Sequence, residues 1–534
     1  MSSAPAKNFV GIDLGTTLSV VAYLGPNGSI STIPNSDGEP LTNSAIYIDG
    51  THVVVGRVAK EAAGHMPNKV ATYVKRDMGK SLYSRLVDGR SFRPETLSAM
   101  IIRKLKQDAE RRIGPIRRAA ITVPAYFDDA RRKATEDAGR IAGLEVVDIL
   151  NEPTAAALAY CLEGHLNRDA HLVQPDFPDG KLTALVYDLG GGTFDVTTIQ
   201  LRAKQIDTIA TDGAVKLGGK DWDDRIVESV VAQFKSQFGL DVPAEQRFGI
   251  ANKAETAKKL LSQLPIAEIE HAYRDRTIRL TLTRDQFVEQ TRDLLAQTEV
   301  ITNLIIKQSR LKGSDRPLTW GEIDRVLLVG GSTRMPMVRD MLRRITGKEP
   351  DRSLDPDQVV ARGAAIFASI QAARQREGQL ELDDRVVDEL SNMGISDVNA
   401  HSLGVEAFSK KQQKLVNAIV IPKNHPLPCA ISRVFPLRTA SASEVRVKVL
   451  EGEAPDPSAN FQLGECHVTD LPPNLPSGAP IQVRLSYERD GRVRVMALDM
   501  TGGRYAHAEI ERTGGLSEAD IRREMELLDR FQIQ

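Results

Sequence analysis

Two short phrases in this chain pair an aspartate with glycines and threonines: Asp13-Leu14-Gly15-Thr16-Thr17, and Asp188-Leu189-Gly190-Gly191-Gly192-Thr193-Phe194-Asp195. Glycine lets backbone N–H groups turn toward a bound anion without side-chain hindrance. The threonine hydroxyls add donors, and the aspartates suit a hydrated divalent cation at the phosphates. One copy alone reads equally well as an ordinary turn. Two copies facing each other would clamp a nucleoside triphosphate from both sides.

Each phrase is positioned by elements of the same kind. The apolar runs Phe9-Val10-Gly11-Ile12 and Leu185-Val186-Tyr187 read as buried strands ending in the acid. A glycine turn then leads into a second strand, Leu18 to Ala22 or Val196 to Ile199. Val146 to Leu150 and Val326 to Val329 read as further buried strands, and Glu95–Arg112, Asp128–Gly143 and Pro153–Cys161 as helices. The strand–helix alternation over residues 8–378 predicts a layered α/β domain. The echo of the phosphate phrase predicts two similar lobes around a cleft. Residues 1–7 read as a disordered tail.

A charged stretch at 379–396 breaks the alternation and reads as a linker. From 397 to 512, short alternating strands such as Val445–Val449 and Arg492–Val495, separated by Pro, Gly and Asp turns, predict an antiparallel β-domain. Within 513–534, Ser517-Glu518-Ala519-Asp520 reads as a capping box opening a helix, Ile521 to Arg530.

With 534 residues the chain exceeds one core. Its 41% hydrophobic and 26% charged residues are those of a soluble globular protein. A net charge of −1 argues against a dedicated nucleic-acid or anionic-membrane binder. Cys161, Cys429 and Cys466 have neither metal-ligand spacing nor a disulfide framework, which predicts a reducing compartment. Met1–Lys7 lacks a signal peptide's apolar core, and no apolar run reaches the about 20 residues of a membrane helix. The expected location is the cytoplasm.

Further phrases carry a resemblance: Val123-Pro124-Ala125-Tyr126-Phe127, Asn151-Glu152-Pro153-Thr154-Ala155-Ala156-Ala157, Leu217-Gly218-Gly219-Lys220-Asp221 and Val329-Gly330-Gly331-Ser332-Thr333-Arg334-Met335-Pro336. Ser402-Leu403-Gly404-Val405-Glu406 and Val449-Leu450-Glu451-Gly452-Glu453 continue it into the β-domain. Over roughly residues 9–530 the chain resembles the seventy-kilodalton heat-shock proteins, the DnaK-type chaperones. The resemblance implies an α/β actin-like ATPase domain followed by a β-sandwich peptide-binding domain. It implies ATP and ADP with Mg²⁺ as ligands, slow ATP hydrolysis, a role in protein folding under stress, and unfolded or extended polypeptides as partners.

The resemblance also assigns residues. Thr16, Thr17, Gly15, Gly190, Gly191, Gly192 and Thr193 would cradle the phosphates, and Asp13, Asp188 and Asp195 would hold Mg²⁺, largely through water. Lys75 stands where the family keeps its catalytic lysine, and Glu152, Asp188 and Thr193 complete the catalytic set. Glu152 also reads as an acid at a helix N-terminus. Gly331, Ser332, Arg334 and Asp357 would hold the adenosine end with Glu255, Lys258, Lys259 and Ser262 from one helical face. Lys259 replaces an arginine that stacks on adenine in the family; lysine lacks the planar fork, which predicts weaker nucleotide affinity. In the β-domain, Val405, Phe435, Val445 and Val447 would line the peptide cleft, with Phe408 and Arg438 over it. Each of these apolar residues also reads as core packing.

Four departures stand out. Met393-Gly394-Ile395-Ser396-Asp397 replaces a leucine-rich linker run. At about 1.5–3 kcal/mol per buried apolar side chain, that predicts weaker docking of the linker. Asp148 stands where the family places an arginine for its J-domain partner, so that partnership is expected in altered form, and a nucleotide exchange factor is a further expected partner. The helical lid is expected to be reduced to 517–530, and the segment Lys80–Phe92 is short for the family. Two other readings remain open: a nucleotide-dependent regulator or exchange factor of the same fold, and a small-molecule kinase of the actin-like superfamily. The β-domain argues against the kinase.

Overall fold

A computed structural model describes residues 8–166, 180–202, 204–374, 382–438, 440, 442–469, 471–488, 492–510 and 515–534. The expected tail at 1–7, linker residues 379–381 and residues 513–514 lie outside them.

The duplication expected from the two phosphate phrases is present as a repeated sheet. Strands Asn8–Asp13, Leu18–Leu24 and Ile30–Thr32 form an antiparallel meander, with Ile116–Val123 parallel to the first strand. Strands Lys181–Leu189, Phe194–Arg202 and Gln205–Ala214 repeat the meander, with Arg325–Val329 again parallel to its first strand. Lys181–Leu189 is buried almost throughout, because both faces of its sheet are covered. Glu145–Asn151 extends the first sheet but is half-buried through Ile149, not the buried strand its valines predict.

Two alanine-rich helices, Glu152–Leu166 and Val359–Arg374, cross between the sheets. A Cβ on Gly363 would overlap the Ala155 carbonyl, and one on Gly11 would overlap the backbone at Ala364 and Ala365. Only small residues allow backbones to meet this closely. The helix Ala244–Gln263 roofs one side of the cleft.

Two four-stranded antiparallel sheets make the β-sandwich. One holds Leu403–Ser409, Lys414–Ile421, Val445–Glu451 and Phe461–Val468; the other holds Cys429–Pro436, Pro480–Tyr487, Val493–Asp499 and Tyr505–Ile510. Val493–Asp499 alternates buried and exposed residues, the period-2 pattern of a strand with one face inward.

The stretch expected as a linker is more ordered than its composition suggests. It contains a helix, Asp384–Ser391, and a strand, Gly394–Ser396, parallel to Gln205–Ala214 with Ile395 opposite Ile206. Met393 is buried, and Arg374 donates to its carbonyl. The stretch is therefore docked despite the glycine and serine, because strand pairing uses the backbone. Ser517 caps the helix, its hydroxyl accepting from the Asp520 amide at 3.1 Å. The helix Glu518–Asp529 that follows lies against the first lobe.

Candidate nucleotide site and peptide cleft

The two phosphate loops meet face to face. A Cβ on Gly191 would overlap the Thr17 side chain, and one on Gly192 would overlap Thr16. This contact, rather than the turn alone, requires glycine. The loops open into a cavity of about 750 Å³ lined by Asp13, Gly15, Thr16, Thr17, Lys75, Glu152, Asp188, Gly190, Gly191 and Thr193. Its far end is lined by Glu255, Lys258, Lys259, Ser262, Gly331, Ser332, Arg334 and Asp357. The structure thus brings almost every expected nucleotide residue to one cavity.

Lys75 sits in the tight turn Val74–Asp77, just after Tyr73 in a left-handed backbone conformation with φ of 58°. Its ammonium donates to Glu152 Oε1 at 2.6 Å, and both side chains are buried. Burial works against the charged lysine, but Glu152, Asp13 and Asp188 outweigh it and raise its pKa. The carboxylates show the opposite imbalance. Burial, with Glu152 nearby, pushes Asp13 up to about 7 and Asp195 up to about 8. Asp188 is also raised, by burial and by Glu152, Asp195 and Asp13.

Four acids around one lysine leave an excess of buried negative charge that a divalent cation would neutralise. Among the described residues, no three His, Cys, Asp or Glu side chains converge to ligate a metal directly. That donor set fits a cation held through its water shell. Thr122 donates to Asp13 Oδ1 at 3.0 Å, and the Tyr126 amide to Asp195 Oδ1 at 3.0 Å, so two of the acids are held in place.

At the far end of the cavity, Ser332 donates to the Gly190 carbonyl at 2.9 Å and Arg334 to Asp357 at 2.6 Å. Lys258 is buried, donating to the Gly219 carbonyl at 2.8 Å and pairing with Asp223 at 2.9 Å. Lys259 is exposed and reaches back to Glu255 at 2.7 Å. Burial pushes Glu255 up, but Lys60 and Lys259 outweigh it and hold it at about 2.

Sequence reasoning missed several supporting groups. Lys60, from the opposite lobe, closes on Glu255 across the cleft. Arg76 donates to the Gly192 carbonyl at 3.1 Å and forks onto Asp221, tying the second loop to the Lys75 turn. Asp221 stands inside a phrase already singled out and Arg76 is the neighbour of Lys75, and that adjacency was the available signal.

In the β-domain, Val405 and Val447 are buried in the sandwich core, whereas Phe408, Phe435 and Val445 are half-buried. The Arg438 guanidinium lies over the Phe408 ring at 4.7 Å. Asp148 is half-buried and lines a second cavity of about 380 Å³ between the domains, with Arg132, Arg374, Asp397 and Glu451.

The domains are joined by specific contacts. Asn151 donates to Asp397 at 2.6 Å, Lys423 pairs with Asp212 at 2.9 Å, and the Thr211 amide donates to Asn424 at 2.8 Å. The Asp129 amide donates to Glu451 at 3.2 Å, and His401 Nε2 lies 3.2 Å from the Tyr126 carbonyl.

Comparison with known proteins agrees with this arrangement. The family model described as Hsp70 protein matches residues 9–90 and 82–532. The chain belongs to the Hsp70 family. It is 36% identical to the chaperone protein DnaK of Thermotoga neapolitana, over 99% of this chain and 85% of that protein. It is 37% identical to the DnaK of Thermosipho africanus, over 98% of this chain and 83% of that one. Hsp70 proteins are ATPases that bind ATP or ADP with Mg²⁺.

Proposed function

We propose that this Hsp70 chain hydrolyses ATP in the cavity between its lobes and uses the cycle to control binding of extended hydrophobic polypeptide in the β-sandwich. The observation that carries the reading is the buried Lys75–Glu152 pair beside Asp13 and Asp188, at the point where the two glycine loops meet. Mg²⁺ there would neutralise phosphate charge. The chain's own groups do the rest. The loop amides and the hydroxyls of Thr16, Thr17 and Thr193 orient the phosphates. Lys75 supplies a fixed positive charge where negative charge develops. Glu152 holds the ammonium in place and, with the aspartates, positions water.

Arg438 and Phe408 would form an arch over the peptide, with Phe435 and Val445 beneath. Asp148 and Asp397 give the interdomain cavity an acidic side, so a J-domain partner would meet this chain through a different charge pattern from the family's usual one. An exchange factor acting at the lobe opening and a cytoplasmic location complete the reading.

The test pairs two assays on the full chain. Slow ATP turnover is expected, together with binding of fluorescent unfolded peptides that is sensitive to nucleotide. ATP turnover with no peptide binding would favour the regulator reading. A phosphorylated sugar or polyol product would favour the kinase.

A further inference from the structure

Each of the two aromatic side chains assigned to the peptide cleft carries a guanidinium. Arg438 lies 4.7 Å from the centre of the Phe408 ring, and Arg433 lies 5.4 Å from that of Phe435. Cation–π attraction holds both in place, and Arg433 also donates to the Ile419 carbonyl at 2.8 Å. Both arginines are exposed. Among the described residues, neither pairs with a carboxylate.

The adjoining turn adds lysines. Strands Leu403–Ser409 and Lys414–Ile421 pair with Phe408 opposite Leu415 and Ser409 opposite Lys414, so the turn that carries Lys410 and Lys411 begins beside Phe408. The Gln412 amide donates to the Ser409 hydroxyl at 3.2 Å and the Gln413 side chain to the Lys410 carbonyl at 2.8 Å, which fixes the turn. Lys410, Lys411 and Lys414 are exposed, and Leu415 is 42% exposed between them and the cleft. Asp456 offsets Lys414 only. The acids beside the cleft residues in sequence are engaged elsewhere: Glu406 pairs with Lys448 at 3.2 Å, and Glu444 faces Arg446 and His467, each at 3.8 Å. The floor is therefore apolar and the rim carries unpaired positive charge.

We infer that the cleft selects extended segments in which carboxylates flank the apolar residues, and rejects segments flanked by lysine or arginine. This rests on the peptide-binding reading and names its substrate class. The apolar residues of such a segment cover Phe435, Val445 and the Phe408–Leu415 edge. Its carboxylates meet a planar guanidinium at Arg433 or Arg438, which can hold them through two bonds, or the lysines of the turn. Cationic flanks meet only like charge, so the rim discriminates by repulsion as well as attraction. Because the rim is solvated, salt screens this preference.

Fluorescence anisotropy of the full chain with ADP tests it, using peptides that share one leucine-rich core and differ only in their flanks: glutamates, glutamines or lysines. At about 20 mM salt the glutamate-flanked peptide is expected to bind about tenfold tighter than the lysine-flanked one, with the glutamine-flanked peptide between, and the gap to close near about 500 mM. Equal affinities at low salt, or tighter binding of the lysine-flanked peptide, would overturn the inference and leave peptide binding in place. Binding of none of the peptides would overturn the peptide-binding reading and the inference together. Displacement of the glutamate-flanked peptide by an equal concentration of single-stranded oligonucleotide would give the rim to polyanions at large, and would also overturn it. Lys410→Glu combined with Lys411→Glu is expected to shrink the glutamate-to-lysine affinity ratio at least about threefold. That ratio compares two peptides on one sample, so any loss of folded protein cancels, and an unchanged ratio would contradict the role of the turn.

Discussion

Tyr126 and His401 meet across the domain interface, their rings 4.5 Å apart and the His401 Nε2 3.2 Å from the Tyr126 carbonyl. The amide of the same tyrosine donates to Asp195 at 3.0 Å. One residue thus touches Asp195, an acid proposed for the nucleotide site, through its amide and the β-domain through its carbonyl and ring. Lys423 adds a cation 4.6 Å from the Tyr126 ring on the β-domain side. A change of charge at Asp195 therefore has a two-contact route to the sandwich.

Replacing His401 by alanine removes this contact without touching the cavity. Basal ATP turnover is expected to stay within about twofold, because the hydrogen bond, worth roughly 0.5–1.5 kcal/mol, and the ring and Glu453 contacts that are lost all lie outside the cavity. Stimulation of turnover by peptide is expected to fall. Steady-state turnover with and without peptide checks both.

The interface should also respond to pH. Burial, followed by repulsion from Asp129 and Asp128, raises Glu451 to about 7, with His401 opposing. Burial lowers His401, but Glu453, Glu451 and the Tyr126 carbonyl outweigh it and raise its pKa. Glu453 and Lys423 are the other charged groups facing the pair. Both groups hold protons more tightly when docked than when separated. Their contribution is present in full below the ordinary glutamate value near 4.5 and is lost as pH rises through about 7. Protection of the Asp129 amide, corrected for intrinsic exchange, should fall between pH 5 and 8 by up to about tenfold per unit. Glu451→Gln should flatten that slope.

Lys75→Ala removes the cation among four acids. Turnover is expected to fall about 10²- to 10³-fold, the usual cost of one preorganised charge-stabilising donor, with nucleotide binding weakened far less. Single-turnover hydrolysis alongside nucleotide titration separates the two.

Gly363→Ala tests the helix crossing. The added Cβ would overlap the Ala155 carbonyl, and the backbone cannot move aside as a flexible side chain would. A loss of at least about 1–3 kcal/mol is expected from overpacking, read as a lower thermal midpoint of the ATPase domain.

Arg438→Ala removes the guanidinium over Phe408. An exposed cation–π contact is worth about 0.5–1 kcal/mol, so peptide should leave about two- to fivefold faster, measured by stopped-flow dissociation.

Legibility varied with the kind of interaction. The phosphate loops were readable because glycine, threonine and aspartate each have a chemical reason to stand where they do. Their mutual contact, Gly191 on Thr17 and Gly192 on Thr16, was not, since it joins residues far apart in sequence. The same holds for Lys60 and Glu255, which look like solvated helix charges until the lobes face each other. The linker strand was not legible because side-chain composition says little about an edge held by backbone bonds. Ser517 correctly marked a helix start, but nothing local showed that Ile521, Leu528 and Phe531 fill the first lobe's core.

The central claim is that ATP chemistry at Lys75 and peptide binding in the sandwich are coupled. Single-turnover ATP hydrolysis by the full chain, with and without saturating extended hydrophobic peptide, tests it most directly. The account predicts slow hydrolysis that peptide accelerates and that Lys75→Ala abolishes in both conditions. Hydrolysis unchanged by every peptide that binds, or hydrolysis surviving Lys75→Ala, would contradict it.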